Sequence, residues 1–270
     1  MPWNRPPDRS AARRWALACA LAGAVGGWAP GLAPAGVGTT GIPSGPGTGT
    51  ARMAASPNAS SVLVDFYDAL LKDGNVDQFR RDVSARYNEG TLAKLLDSPE
   101  PKARRAAVLG LGLYGEFAAS NAAVAGALKD KDPAVRALAR DSLWAIWFRA
   151  GTPGQNEALA QVRRRVDAGD LAEAIERADR LIAEAPAFAE AYNQRAIARF
   201  LQGDLAASAA DCRLVLKLNP VHFGALGGLG QCLLRLDKRA EAVAVFRRAA
   251  EIQPFDEGLK DLIAALDGGQ

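Results

Sequence analysis

"FGALGGLGQCLLRLDKRAEAVAVFRRAAEIQP", residues 223–254, decides the fold. Two helix-forming runs are divided by Leu236-Asp237-Lys238 and closed by Pro254. Small residues at Gly230 and Ala242 let two helices approach closely, and the proline stops the second helix.

The same features return every 34 residues. Pro186, Pro220 and Pro254 keep this period, as do Gly169-Asp170, Gly203-Asp204 and Asp237-Lys238. So do Ala174, Ser208 and Ala242, and Leu181, Val215 and Ala249. This period, with small residues at fixed places and a terminal proline, resembles the tetratricopeptide (TPR) repeat. In 223–254, Leu229-Gly230, Ala242, Phe246, Ala249 and Pro254 fall on the family's signature positions. In 189–220 the equivalents are Tyr192, Ala196, Gly203 and Pro220; in 155–186 they are Gly169, Ala174 and Pro186. Val162 and Arg165 depart from the pattern, where a small residue and an aromatic are usual. The resemblance implies three repeats over 155–254, each of two antiparallel helices. Residues 255–270 then supply a capping helix and tail, with Leu259, Leu262, Ile263 and Leu266 facing inward.

Upstream lies a second period. "LLDSPEPKARRAAVLGLGLYG" (95–115) aligns with "ALKDKDPAVRALARDSLWAIW" (127–147) at an offset of 32. Leu96 pairs with Leu128, Pro101 with Pro133, Arg104 with Arg136, Ala107 with Ala139 and Leu111 with Leu143. An acidic/Pro turn, a basic residue three on and an Ala-rich helix resemble the HEAT repeat. HEAT-like repeats are expected over 62–150, with "SVLVDFYDALLKD" and "VDQFRRDVSARYN" as helices capping their start. The expected fold class is all-α, a right-handed α-solenoid of HEAT-like repeats followed by TPR repeats. Composition agrees: apolar residues make up 49% and aromatics only 7%, which favours closely packed helices over a β-sandwich.

Charge is uneven. Residues 1–61 hold Arg5, Arg9, Arg13, Arg14 and Arg52 against Asp8 alone, more than accounting for the net +3. The near-neutral body offers no electrostatic case for nucleic acid. Residues 1–35 read as an export signal: a positive stretch to Arg14, the short apolar run "WALACALAGAVGGWA", and a small-x-small pattern at Ala33-Pro34-Ala35. Gly26, Gly27 and Pro30 interrupt the run too early for a membrane span. The rivals are an organellar transit peptide and a cytoplasmic chain starting at Met53. Residues 36–61, rich in Gly, Pro, Ser and Thr, read as a disordered linker.

No catalytic set can be assembled. His222 is the only histidine and follows the inter-repeat turn Asn219-Pro220, aligned with Phe188 at the start of a helix. A catalytic base needs an orienting partner and a nucleophile, and a metal needs further ligands; the repeat supplies neither, so a turn or helix-start role is expected. Gly110, Gly112 and Gly115 spell GxGxxG, but no strand precedes them, so they read as close helix packing. Arg163-Arg164-Arg165 fan around a helix and read as a solvated face. Trp144, Trp147 and Phe148 share one helix face where the HEAT-like part ends, and read as the seal to the TPR part. Cys212 and Cys232 lie on neighbouring helices and read as buried thiols, which export would allow to pair.

The reading that follows is a non-catalytic scaffold or adaptor with no cofactor and no metal. Its partner is a protein, bound as a peptide or helix on the concave TPR surface. Counting as TPR grooves are lined, the candidate contacts are Asn156, Leu159, Arg163, Glu190, Asn193, Ile197, Phe200, Gln231 and Arg235. A subset of the family grips C-terminal carboxylates with a Lys, Asn and Arg clamp; only Arg163 and Asn193 stand for it here. The alternative is a HEAT-like accessory or lyase-type subunit of an enzyme system, by fold analogy.

Overall fold

The computed structural model describes residues 57–268. The expected export signal at 1–35, and the expected linker up to residue 56, lie outside the described residues. Thirteen α-helices and no strand are found among them. The first six are α1 (Pro57–Asp73), α2 (Val76–Arg86), α3 (Glu89–Leu95), α4 (Pro101–Tyr114), α5 (Phe117–Gly126) and α6 (Pro133–Phe148). Then come α7 (Pro153–Ala168), α8 (Leu171–Glu184), α9 (Ala189–Gln202), α10 (Leu205–Leu218), α11 (Phe223–Arg235), α12 (Arg239–Ile252) and α13 (Glu257–Asp267). Helix α1 therefore takes in residues 57–61, which the composition assigned to the linker.

The ends of these helices are written in the chain. Pro101, Pro133 and Pro153 sit in first turns, where a missing N–H costs nothing. Side chains of Asn75, Asn88, Asp132, Thr152, Asp204, His222 and Asp256 accept from first-turn amides. In the 34-residue period, Gly169 (φ 82°) and Gly203 (φ 96°) end α7 and α9 in the left-handed conformation. The third repeat puts Asp237 there, at φ 60°.

In the HEAT part the second helices α4 and α6 lie side by side, and α1 packs on α4. Of the GxGxxG glycines Gly112 makes that contact, where a Cβ would strike Ser142 of α6, whose hydroxyl donates to Val108 O at 3.2 Å. Gly110 instead faces Leu92 of α3 and Val83 of α2, and Gly115 faces Ser120 of α5. Arg104 and Asp130 form a nearly buried fork, Nε to Oδ2 at 2.7 Å and Nη2 to Oδ1 at 2.9 Å. Burial pushes the Asp130 carboxyl up, but the Arg104 hydrogen bonds, the Asp132 amide and the nearby Arg104 and Lys131 charges together outweigh it and hold the group below its ordinary range.

From α7 to α13 each helix packs on the next. A Cβ at Gly230 would run into the Phe246 ring, so this glycine sets the α11–α12 spacing. Ser208 Oγ donates to Ala196 O at 2.8 Å and ties α10 to α9. The buried Asp211 carboxylate takes Arg195 and Arg199 from α9, at 2.7 and 2.8 Å. Cys212 and Cys232 are both buried, as expected, and burial pushes the Cys232 thiol up. Leu259, Leu262, Ile263 and Leu266 of α13 face the same core and stay half-buried.

Candidate protein-binding surface

The concave side of the TPR part is built from the first helices of its pairs, α7, α9 and α11. The HEAT part packs against the N-terminal end of α11. Trp147 of α6 stacks on His222, with centroids 4.1 Å apart and planes 20° apart. Trp144 stands edge-on to His222 at 5.4 Å and to Phe223 at 5.5 Å. Gly224 leaves no room for a Cβ against the Trp144 ring. Trp147 Nε1 donates to Asn121, and Asn121 donates in turn to Asn219 in the inter-repeat turn. The aromatic cluster is thus the seal its spacing suggested, and the Asn219-Pro220 turn is where it seats.

His222 has a fuller role than a turn residue. Its Nδ1 accepts the Ala225 amide at 3.0 Å and caps α11. With Nδ1 an acceptor, Nε2 carries the proton and donates to Glu190 Oε2 at 3.0 Å. Glu190 Oε1 takes Asn193 Nδ2 and Gln194 Nε2, both at 2.8 Å. The whole group is buried. Both Glu190 oxygens thus have donors, which a carboxylate out of water requires.

Burial corrects the groove reading at five positions. Leu159, Glu190, Asn193, Ile197 and Phe200 are buried and offer no surface to a partner. Leu159 packs with Leu181, Phe188 and Ala191, and Ile197 with Val166, Ala174 and Ala198. Glu190 and Asn193 are held in the His222 network, and Phe200 lies under the Arg235 guanidinium, 5.0 Å from ring centroid to Cζ. Asn156 exchanges two 3.0 Å hydrogen bonds with the Gly151 backbone and fixes the HEAT–TPR junction. Asn156 is half-buried, and three further candidates keep accessible side chains. Arg163 and Gln231 are half-buried, and Arg235 is exposed. Arg163 lies over Phe148 at 5.3 Å and only 3.8 Å from Asp167, while Arg235 makes no ion pair among the described residues. Beside them a Cβ at Gly227 would meet nothing within 4 Å.

Arg164 and Arg165 are spent on Glu157, Asp170 and Glu173, in keeping with a solvated face. Among the described residues no group of His, Cys, Asp and Glu could hold a metal ion, and no helix is long and apolar enough to cross a membrane.

Comparison with known proteins agrees with both periods. Residues 89–180 match a family model of HEAT repeats, and 159–220 and 199–266 match two models of the tetratricopeptide repeat. A TPR repeat-containing protein of Rhizobium etli is 25% identical over 138 residues, 51% of this chain and 68% of the relative. Among solved structures, MamA (41-end) from Desulfovibrio magneticus RS-1 has a TM-score of 0.37 at 15% identity, with 75% of this chain and 99% of that one covered. The TPR2AB-domain:pHSP90-complex of yeast Sti1 has a TM-score of 0.39 at 14% identity, with 78% and 98% covered. The chain is a helical-repeat protein in which HEAT repeats are followed by tetratricopeptide repeats.

Proposed function

We propose that the chain is a non-catalytic scaffold that holds a protein partner, as an extended peptide or a helix, on the open part of its concave TPR face. Tetratricopeptide repeats support a protein-interaction role in general. The observation that carries the finer reading is the strip Gly227–Gln231–Arg235 on α11. These residues recur every four, on one helix face, with open space over Gly227 and an exposed guanidinium that no carboxylate of the fold takes up. Across α9, Arg163 supplies a second half-free cation. Trp144 and Trp147 pack on His222 at the start of α11, and the strip lies beyond that contact.

The test is affinity capture from native extract with the wild-type chain and with Arg163→Glu plus Arg235→Glu. Loss of a protein captured by the wild type, at unchanged thermal midpoint, is the expected result. Equal capture by both overturns the reading, and a copurifying small molecule would favour the enzyme-accessory alternative.

The same proposal includes export, with the leader removed after about residue 35, on the strength of its basic and apolar stretches and Ala33-Pro34-Ala35. N-terminal sequencing of native protein decides it: an intact Met1 or a start at Met53 contradicts export.

A further inference from the structure

Arg104 and Arg136 stand 32 residues apart, at matching places in consecutive HEAT repeats. Each sets Nη1 on two carbonyls of the turn before its helix. Arg104 reaches Ser98 O and Pro99 O at 2.9 and 3.3 Å. Arg136 reaches Asp130 O and Lys131 O, 32 residues on from those, at 2.8 and 3.1 Å. The other edge of Arg104, Nε and Nη2, grips the carboxylate of Asp130 in the following turn.

For Arg136 no following acidic turn exists. The residue that matches Asp130 one repeat on is Val162, buried within α7. The Phe255 ring comes over the Arg136 guanidinium instead, 4.2 Å from Cζ to centroid. A ring face takes no fork of N–H donors, and among the described residues Nε and Nη2 of Arg136 have no hydrogen-bond acceptor. Arg136 lines a cleft of about 410 Å³ between the start of α6 and residues 253–257. Leu128, Pro133 and Phe255 make it apolar on one side, with Phe255 48% exposed, and Arg140 stands one helical turn beyond Arg136. Asp256 and Glu257 also line it, but Asp256 caps α13 and Glu257 is taken by Lys260. Arg140 has only its exposed sequence neighbour Asp141, at 3.4 Å.

We infer that this cleft binds an acidic peptide segment of a partner protein, an Asp or Glu of which takes the Nε/Nη2 edge of Arg136 as Asp130 takes that of Arg104. The chain's own Lys129-Asp130-Lys131-Asp132-Pro133 turn gives the form of such a ligand: an acidic residue just ahead of a helix start, with a neighbouring apolar side chain free to lie on Phe255. Recognition is through the planar fork, so lysine cannot replace arginine here without loss. Arg140 is placed to meet a second acidic group. The site lies at the HEAT–TPR junction and is separate from the concave strip at Gln231 and Arg235.

The test uses the full chain with 15N-labelled arginine and follows side-chain Nε–H signals by NMR. The probe is the end-capped peptide ALKDKDPA, residues 127–134 of this chain, with an Asp130→Asn peptide as control. A saturable shift of the Arg136 signal is expected with the first peptide, and binding at least tenfold weaker with the control. Arg136→Lys should weaken binding about tenfold. Arg140→Gln, which removes no contact that α6 needs, should weaken it a few-fold with an unchanged thermal midpoint. Equal titration by both peptides overturns the inference, as does wild-type affinity in Arg136→Lys. Shifts confined to Arg163 and Arg235 also overturn it, while leaving the concave-face proposal standing.

Discussion

Nε2 of His222 lies 3.0 Å from Oε2 of Glu190, and neither side chain is exposed at all. The two residues belong to successive TPR repeats, and Trp147 of the last HEAT helix stacks on the histidine. One side chain therefore caps α11, anchors a buried carboxylate and supports the seam between the two kinds of repeat.

Removing it should be costly. His222→Ala deletes a cap worth about 1 kcal/mol and a stacking partner worth about 0.5–1.5 kcal/mol, and leaves Glu190 a buried anion short of one donor. A total loss of roughly 3–5 kcal/mol is expected, as for one broken partner of a buried pair. Glu190→Gln keeps the volume and should cost less, about 1–3 kcal/mol, through a misdirected hydrogen bond. Urea denaturation of both variants and of the double variant checks this; the double loss should fall short of the sum, since the two share one network.

Gly227 and Gly230 sit one turn apart on α11 and should respond oppositely. Gly230→Ala places a methyl against the Phe246 ring and should cost about 1–3 kcal/mol by overpacking. Gly227→Ala meets open space and should gain about 0.5–1 kcal/mol from helix propensity. Thermal midpoints of the two variants suffice to compare them.

Asp237 occupies the left-handed position that Gly169 and Gly203 hold in the other repeats. An L side chain is strained there, and its aspartate makes no cap hydrogen bond at the start of α12. Asp237→Gly should therefore raise stability by about 0.5–1 kcal/mol, set against the extra freedom of glycine when unfolded. Chemical denaturation checks the sign.

Much of this fold was legible because its signals are periodic. Glycine at 169 and 203 and proline at 186, 220 and 254 mark helix ends at constant spacing, and Trp144, Trp147 and Phe148 share a face by simple helical geometry. The pairs across the seam carry no period. Asn121–Asn219 and Arg136–Phe255 join residues 98 and 119 apart, across a junction where the repeat length changes from 32 to 34. Groove counting describes an array standing alone. It could not show that Leu159 and Ile197 turn into the packing between neighbouring TPR helices, that Arg235 covers Phe200, or that Glu190 and Asn193 are held in a network under Trp147, so these five were assigned to a surface they do not reach.

Acid should loosen the HEAT part first. Asp130 and Asp132 are pushed up by burial, yet held low on balance by Arg104 and by the Ala134 amide with Arg105 respectively. A depressed carboxyl stabilises the fold above its unfolded value of about 3.9 and loses that contribution as pH falls through the folded value. Asp130→Asn should cost roughly 3–5 kcal/mol at neutral pH by leaving Arg104 without its counter-charge. Its deficit against wild type should shrink below about pH 4. Denaturant midpoints measured across pH 2–7 in both proteins check this.

The central claim is that a protein partner lies on the open strip of the concave TPR face. Hydrogen exchange of the full chain, with and without a partner captured from extract, tests it most directly. Slowed exchange over α11 around Gly227–Arg235, and over α7 around Arg163, is the result this account requires. Protection confined to the second helices α8, α10 and α12, with α7 and α11 unchanged, would contradict it.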